Sequence, residues 1–139
     1  MIQRILVPVD FSLESRRAVS FGLELAKQLG ADVRFVNVLD VGDLRAAIKA
    51  GLSDFKDDAD VHRRLEEWNE QEYRSLNLPD GVSRMTLRGM VTDSIVAAIA
   101  SFDAHLVVMG SAGMGRRIPM GSKTEDVIRR SRVPVVVVR

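Results

Sequence analysis

Gly110-Ser-Ala-Gly-Met-Gly-Arg-Arg-Ile-Pro-Met-Gly-Ser122 is the stretch on which the fold turns. It follows the apolar run Leu106–Met109, which reads as a buried strand, and precedes Lys123–Arg130, which reads as a helix. Four glycines (Gly110, Gly113, Gly115, Gly121) fall within twelve residues. Without a Cβ, such backbone can approach a bound group closely and adopt positive φ. The helix start behind it offers unpaired N–H groups and the positive end of a dipole, a setting that suits phosphate. A glycine-rich connection from strand to helix at the carboxyl end of a parallel sheet is where a nucleotide would sit.

Working outward, strands and helices alternate. Ile5–Val9 is an apolar run ending at Asp10; Ser12 is placed to cap a helix with Ala18, Gly22, Leu25, Ala26 and Leu29 at helical spacing and Gly30 at its end. Val33–Val38 reads as the second strand, and residues 40–60 are irregular. Ala59–Leu76 reads as a polar amphipathic helix with Val61, Leu65, Trp68 and Tyr73 inward. Asn77-Leu-Pro-Asp-Gly81 is a turn, and Ser83–Arg88 alternates as the third strand. Gly89 ends that strand; Thr92 or Asp93 would cap a helix whose inward face is Ile95, Val96 and Ile99. Leu106–Met109 and Val133–Val138 are the fourth and fifth strands. The alternation predicts right-handed βαβ crossovers, a parallel sheet and a single domain over residues 1–139. Strands one, four and five are apolar throughout, as expected with both sheet faces covered.

Composition narrows the partners. With 139 residues the chain can bury about two-thirds of its unfolded surface. There are 20 Lys and Arg against 19 Asp and Glu, a net charge of +1, which gives no bulk attraction to nucleic acid or membrane. No cysteine is present, which excludes disulfides and thiolate-held metals. No secretion signal or membrane-length apolar run is visible, so a cytoplasmic location is expected.

Several residues could carry chemistry, each with a plainer alternative. Asp10 could accept hydrogen bonds from a ribose hydroxyl or base amine; Asp10 or Ser12 could equally cap the following helix. Ser122-Lys-Thr-Glu125 matches the S/T-x-x-E capping box, but Ser122 and Thr124 could also serve a phosphate. Arg116 and Arg117 could clamp phosphates or sit in solvent. His62 and His105 have no ligand spacing, so no metal site is expected, and Trp68 reads as a core or interface residue. Nothing pairs a nucleophile with a base, and no catalytic residue is assigned. The five residues between Gly115 and Gly121, with Ser122 following, exclude a P-loop, and no G-x-G-x-x-G follows the first strand.

Taken together, Arg4-Ile-Leu-Val-Pro-Val-Asp-Phe-Ser12, Val36-Asn-Val38, Gly89, Leu106-Val-Val-Met-Gly-Ser111, Gly121-Ser122 and Val133-Pro-Val-Val-Val-Val138 resemble the universal stress protein family over nearly the whole chain. The resemblance implies a doubly wound, Rossmann-like sheet of five parallel strands in order 3-2-1-4-5, with helices on both faces. It implies a homodimer formed through the strand Val133–Val138. It also implies an adenine-nucleotide site, taking ATP with or without Mg²⁺, in a stress-linked regulator or sensor with at most slow ATP hydrolysis. Asp10 and Val38 would hold the adenosine part, and Gly110, Gly113, Gly121, Ser122 and Thr124 the ribose and phosphates. Pro8, Val9, Ser12, Met109 and Gly115 would also belong to the nucleotide site. Seven residues separate Gly113 from Gly121, two fewer than in the family's usual nucleotide-binding pattern. That shortening keeps a second reading open, a nucleotide-free dimer acting through protein contacts.

Overall fold

The computed structural model describes residues 1–40, 58–112 and 120–139. In chain order the elements are β1 (Arg4–Pro8), α1 (Leu13–Leu29), β2 (Asp32–Leu39), α2 (Asp58–Ser75), β3 (Ser83–Arg88), α3 (Val91–Phe102), β4 (Leu106–Gly110), α4 (Ser122–Arg130) and β5 (Val135–Val138). The strands form one parallel sheet in the order β3-β2-β1-β4-β5, as expected.

The two-residue period of β1 builds two cores. Ile5, Val7 and Val9 face one side with Phe35, Leu106 and Val108, under Ala18, Val19 and Ala26 of α1 and Tyr73 of α2. Leu6 faces the other side with Val36, Val107 and Met109, under Ile95, Ala98 and Ile99 of α3 and Val127 of α4. Helices α1 and α2 thus cover one face and α3 and α4 the other. This is the arrangement of a doubly wound sheet whose crossovers change side between β1 and β4. Gly22 lets α1 lie close to β1, since a Cβ there would stand 2.8 Å from Val7 Cγ2.

Helix ends show where local signals held. Ser12 caps α1: its Oγ accepts the Ser15 N–H at 3.2 Å. Gly30 ends the helix at φ +64°, its N–H bonded to the Ala26 carbonyl. Three expectations fail. Helix α3 is capped by the backbone of Met90, with no side-chain cap; Thr92 and Asp93 fall inside the first turn, where Asp93 pairs with Arg130 at 2.6 Å. The inward residue of that helix beside Ile95 and Ile99 is Ala98, while Val96 is half-buried. Leu29, in the last turn of α1, is exposed.

At the amino edge of the sheet, His105 stitches β1 to β4. Its Nδ1 accepts the Gln3 N–H at 2.9 Å, its Nε2 lies 3.1 Å from Arg4 Nη2, and Arg4 pairs with Asp103 at 2.6 Å. This histidine serves the fold, at the end opposite the strand carboxyl termini.

Candidate functional site at the carboxyl ends of β1 and β4

The pairing of β1 with β4 runs through Ile5–Leu106 and Leu6–Val107, while β1 pairs with β2 as far as Pro8–Val36. The switch point therefore lies beyond Val7, where Pro8 has no N–H to give to a neighbouring strand. Three segments converge there: the turn after β1, the end of β4 and the start of α4.

The turn after β1 is tightly organised. Phe11 adopts φ +64°, a rare conformation for a bulky side chain. Ser15 Oγ accepts both the Asp10 and the Phe11 N–H, each at 3.1 Å. Asp10 Oδ1 accepts the Ser12 N–H at 3.0 Å and the Ser12 hydroxyl. Ser12 is buried and its hydroxyl is engaged on both sides, so it acts as the helix cap. Asp10 is exposed, and its Oδ2 carries no hydrogen bond among the described residues. Phe11 is buried, with its ring edge-on to Trp68 at 5.6 Å and to Tyr73 at 5.0 Å. Trp68 is 41% exposed, so it forms the rim of this packing and not its core. Arg16 fastens the same turn to α2 through the Phe11 carbonyl (3.1 Å), Ser75 (3.0 Å) and Glu72 (2.6 Å).

The end of β4 is built around Gly110 and Ser111. A Cβ on Gly110 would stand 2.8 Å from both Glu14 C and Ser15 N, so the amino end of α1 occupies the space a side chain would need. The Thr124 hydroxyl donates to the Gly110 carbonyl at 3.0 Å, the Gly121 N–H donates to the Ser111 carbonyl at 2.7 Å, and the Ser111 N–H donates to Val138 at 2.8 Å. These bonds fix the start of α4 against the end of β4. Thr124 is buried as a strut between them.

The capping box anticipated at Ser122 and Glu125 does not form. Gly121 is the N-cap, at φ −75° and ψ 154°, with no side-chain cap. The first intrahelical bond runs from Glu125 N–H to the Gly121 carbonyl at 3.0 Å, so the amides preceding it have no partner within the helix. Ser122 sits one position inside the helix, beyond reach of the N3 amide, and is exposed. Of the remaining expected residues, Pro8 and Val9 are buried at the end of β1, Met109 packs in the second core, and Val38 is half-buried one strand away, opposite Leu87. Gly113, Gly115, Arg116 and Arg117, like residues 41–57, lie outside the described residues.

Sequence reading missed a polar ring of the buried Asn37 and Asn69 with the exposed Thr86. Asn37 Nδ2 donates to Asn69 Oδ1, Asn69 Nδ2 donates to Thr86 at 2.9 Å, and the Thr86 hydroxyl donates to Asn37 Oδ1 at 2.8 Å. It locks α2 onto β2 and β3. A buried Asn in an apolar strand facing a second Asn on a polar helix was the available signal. Further along α2, burial pushes the Tyr73 phenol well above its ordinary value, partly offset by the Arg84 guanidinium lying 4.8 Å over its ring. Hydrogen bonds from Arg84 hold Glu70 below the usual carboxylate range.

This geometry defines an open α/β protein whose topological switch point lies between an acidic strand end and the amino end of a helix. Residues 1–139 match the family model described as the universal stress protein family, and the chain belongs to that family. It is 27% identical over 151 residues to universal stress protein MJ0531 of Methanocaldococcus jannaschii, covering all of this chain and 83% of that one. The solved structure of MJ0577 from the same organism is similar at 25% identity and a TM-score of 0.81, over 99% of this chain and 96% of that one. A universal stress protein from Archaeoglobus fulgidus, solved in complex with dAMP, shares the fold at 24% identity and a TM-score of 0.59, over the full length of both.

Proposed function

We propose that this chain, as a single cytoplasmic domain, binds an adenine nucleotide in the switch-point cleft and acts as a stress-linked regulator or sensor rather than a catalyst with turnover. The observation that carries this reading is the joint anchoring of two complementary groups on the end of β4. Ser15 holds the Asp10 turn and abuts Gly110, while Thr124 and Gly121 hold the start of α4 to Gly110 and Ser111. A carboxylate oxygen open to accept from a ribose or base thus shares one cleft with amides and a hydroxyl open to donate to phosphate. The dAMP complex of the Archaeoglobus fulgidus protein supports an adenylate as the ligand class. ATP, with Mg²⁺ carried on its phosphates, is the ligand the family pattern suggests. Asp10, the amides at the start of α4 and Ser122 are the groups of this chain that would meet it.

The test is to identify any nucleotide released from freshly purified protein, then titrate ATP, ADP and AMP with and without Mg²⁺. Saturable binding with no ADP or AMP formed from ATP over hours is expected. Absence of binding at millimolar nucleotide would defeat the reading. A nucleotide-free dimer remains as a second reading because β5 is an edge strand of four half-buried valines, Val135–Val138, with no charge to protect it.

A further inference from the structure

We propose that Ser15 is the positioning residue of this cleft: its hydroxyl holds the Asp10–Phe11 turn in its left-handed conformation and thereby aims the open carboxylate oxygen of Asp10 at the ligand. The inference rests on the adenine-nucleotide reading above and assigns the device that prepares the site.

Four observations meet at this side chain. Ser15 is buried in the first turn of α1, where a serine is not needed for the helix, since Ser12 already supplies the cap. Its Oγ accepts two consecutive backbone N–H groups, those of Asp10 and Phe11, both at 3.1 Å. Both bonds are made across a turn in which Phe11 takes φ +64°, a conformation a phenylalanine avoids without compensation. Finally, Ser15 N stands 2.8 Å from where a Cβ of Gly110 would lie, so the same residue is wedged against the end of β4. Backbone packing fixes where Ser15 is, and its hydroxyl fixes how the chain leaves β1. Asp10 follows: Oδ1 is held by Ser12, which leaves Oδ2 as the oxygen open to a ligand donor. Removing the Ser15 hydroxyl would leave the buried Phe11 amide and the part-buried Asp10 amide without an acceptor, and the turn would relax toward negative φ to rehydrate them. Asp10 would swing with it.

The experiment compares wild type, Ser15→Ala, Asp10→Ala and the double variant by AMP and ATP titration, with circular dichroism as a control on the fold. Ser15→Ala and Asp10→Ala should each weaken binding about ten- to hundredfold, the range of one hydrogen bond to a charged acceptor. The double variant should bind no worse than Asp10→Ala alone, because Ser15 acts through Asp10. Losses that add would show a merely structural serine and overturn the proposal. So would wild-type affinity in Ser15→Ala, or in Asp10→Ala. If wild type itself binds no adenine nucleotide, the function proposed above falls and takes this inference with it, a result distinct from binding that Ser15→Ala leaves intact. Two ligand-free readouts cover the case in which Ser15→Ala folds poorly. In wild type the Asp10 and Phe11 amides should exchange slowly with solvent, and exchange at open-loop rates would overturn the proposal. In Ser15→Cys, whose thiol is a weak acceptor, both amides should exchange faster. Emission from Trp68, the chain's only tryptophan, should shift as the Phe11 ring moves. Unchanged exchange and emission would count against it.

Discussion

Gly110→Ala should destabilise this protein in the absence of any ligand. An alanine Cβ there would stand 2.8 Å from Glu14 C, 2.8 Å from Ser15 N and 3.0 Å from Glu14 Cβ. Non-bonded carbon contacts are comfortable from about 3.5 Å, so the overlap is about 0.7 Å against two backbone atoms. Neither can rotate away. Relief requires α1 to slide as a body or β4 to bend, and both moves disturb the bonds Thr124–Gly110 and Ser111–Val138 that close this end of the sheet. Overpacking typically costs about 1–3 kcal/mol, and a clash with backbone on both sides belongs at the upper end. For a domain of this size about 3 kcal/mol lowers Tm by roughly 6–12 °C.

The assay is thermal unfolding of apoprotein, with urea titration to check that the m-value is unchanged. Gly30→Ala is the control. That glycine has φ +64° and nothing within 4 Å of its Cβ position, so it should lose only the left-handed backbone contribution of about 1–2 kcal/mol. At Gly110 the cost must rise from alanine to valine, because more atoms enter the same filled space. A Gly110→Ala protein melting within about 2 °C of wild type would refute the steric argument. The glycine would then have to be explained by a ligand instead of by α1.

Four further outcomes are expected. Asn69→Ala leaves Asn37 and Thr86 each short of a partner and should cost about 1–3 kcal/mol, with Asn37→Ala/Asn69→Ala losing less than the sum of the single variants in urea unfolding. Tyr73→Phe deletes a buried hydroxyl that has no partner among the described residues, so stability at pH 7 should stay within about 1 kcal/mol of wild type or rise. Because the folded phenol titrates above the unfolded one, wild type should lose stability as pH climbs past about 10, a decline that Tyr73→Phe should reduce. The lone tyrosine makes its phenolate absorbance a clean readout. At the β5 edge, the carbonyls of Pro134 and Val138 face β4, so Val137 points its N–H outward; if two copies pair through β5, as the second reading proposes, wild type should have a dimer's mass in solution and Val137→Pro a monomer's without unfolding, and a monomeric wild type or a dimeric Val137→Pro would remove β5 as an interface.

The sheet was legible because its signals are local and redundant. Apolar runs such as Leu106–Met109 have few alternatives to a buried strand, and Ser12 and Gly30 mark the ends of α1 by chemistry that depends on neighbouring residues alone. What escaped sequence reading depends on packing between distant segments. Ser122 and Thr92 have the composition of caps, but tertiary bonds from Gly121 to Ser111 set where α4 begins, and Met90 opens α3 without a side chain. Nothing in Phe11 announces a positive φ; it follows from a serine four residues later and two aromatic rings on another helix. The Asn37–Asn69–Thr86 ring joins residues 17 to 49 positions apart and has no motif.

The residues that signal the family divide, on this geometry, into those the fold itself requires and those left for a ligand. Gly110 is a glycine because α1 fills its side-chain space, Ser12 is spent on a cap, and Thr124 is spent on the Gly110 carbonyl. A chain that never met a nucleotide would still need all three. Asp10 Oδ2, the Ser122 hydroxyl and the amides of the first turn of α4 are different: no bond among the described residues engages them, and they lie on segments anchored to the same end of β4. The presence of the glycine signature is therefore weak support for nucleotide binding, whatever the length of the connection between Gly113 and Gly121. The stronger support is that the fold uses only Oδ1 of Asp10, on Ser12, and leaves the second oxygen of an exposed carboxylate and the first amides of α4 unengaged among the described residues. Asp10→Ala and Ser122→Ala should accordingly cost affinity for nucleotide far more than they cost in Tm, and a reversal of that order would place both residues with the fold.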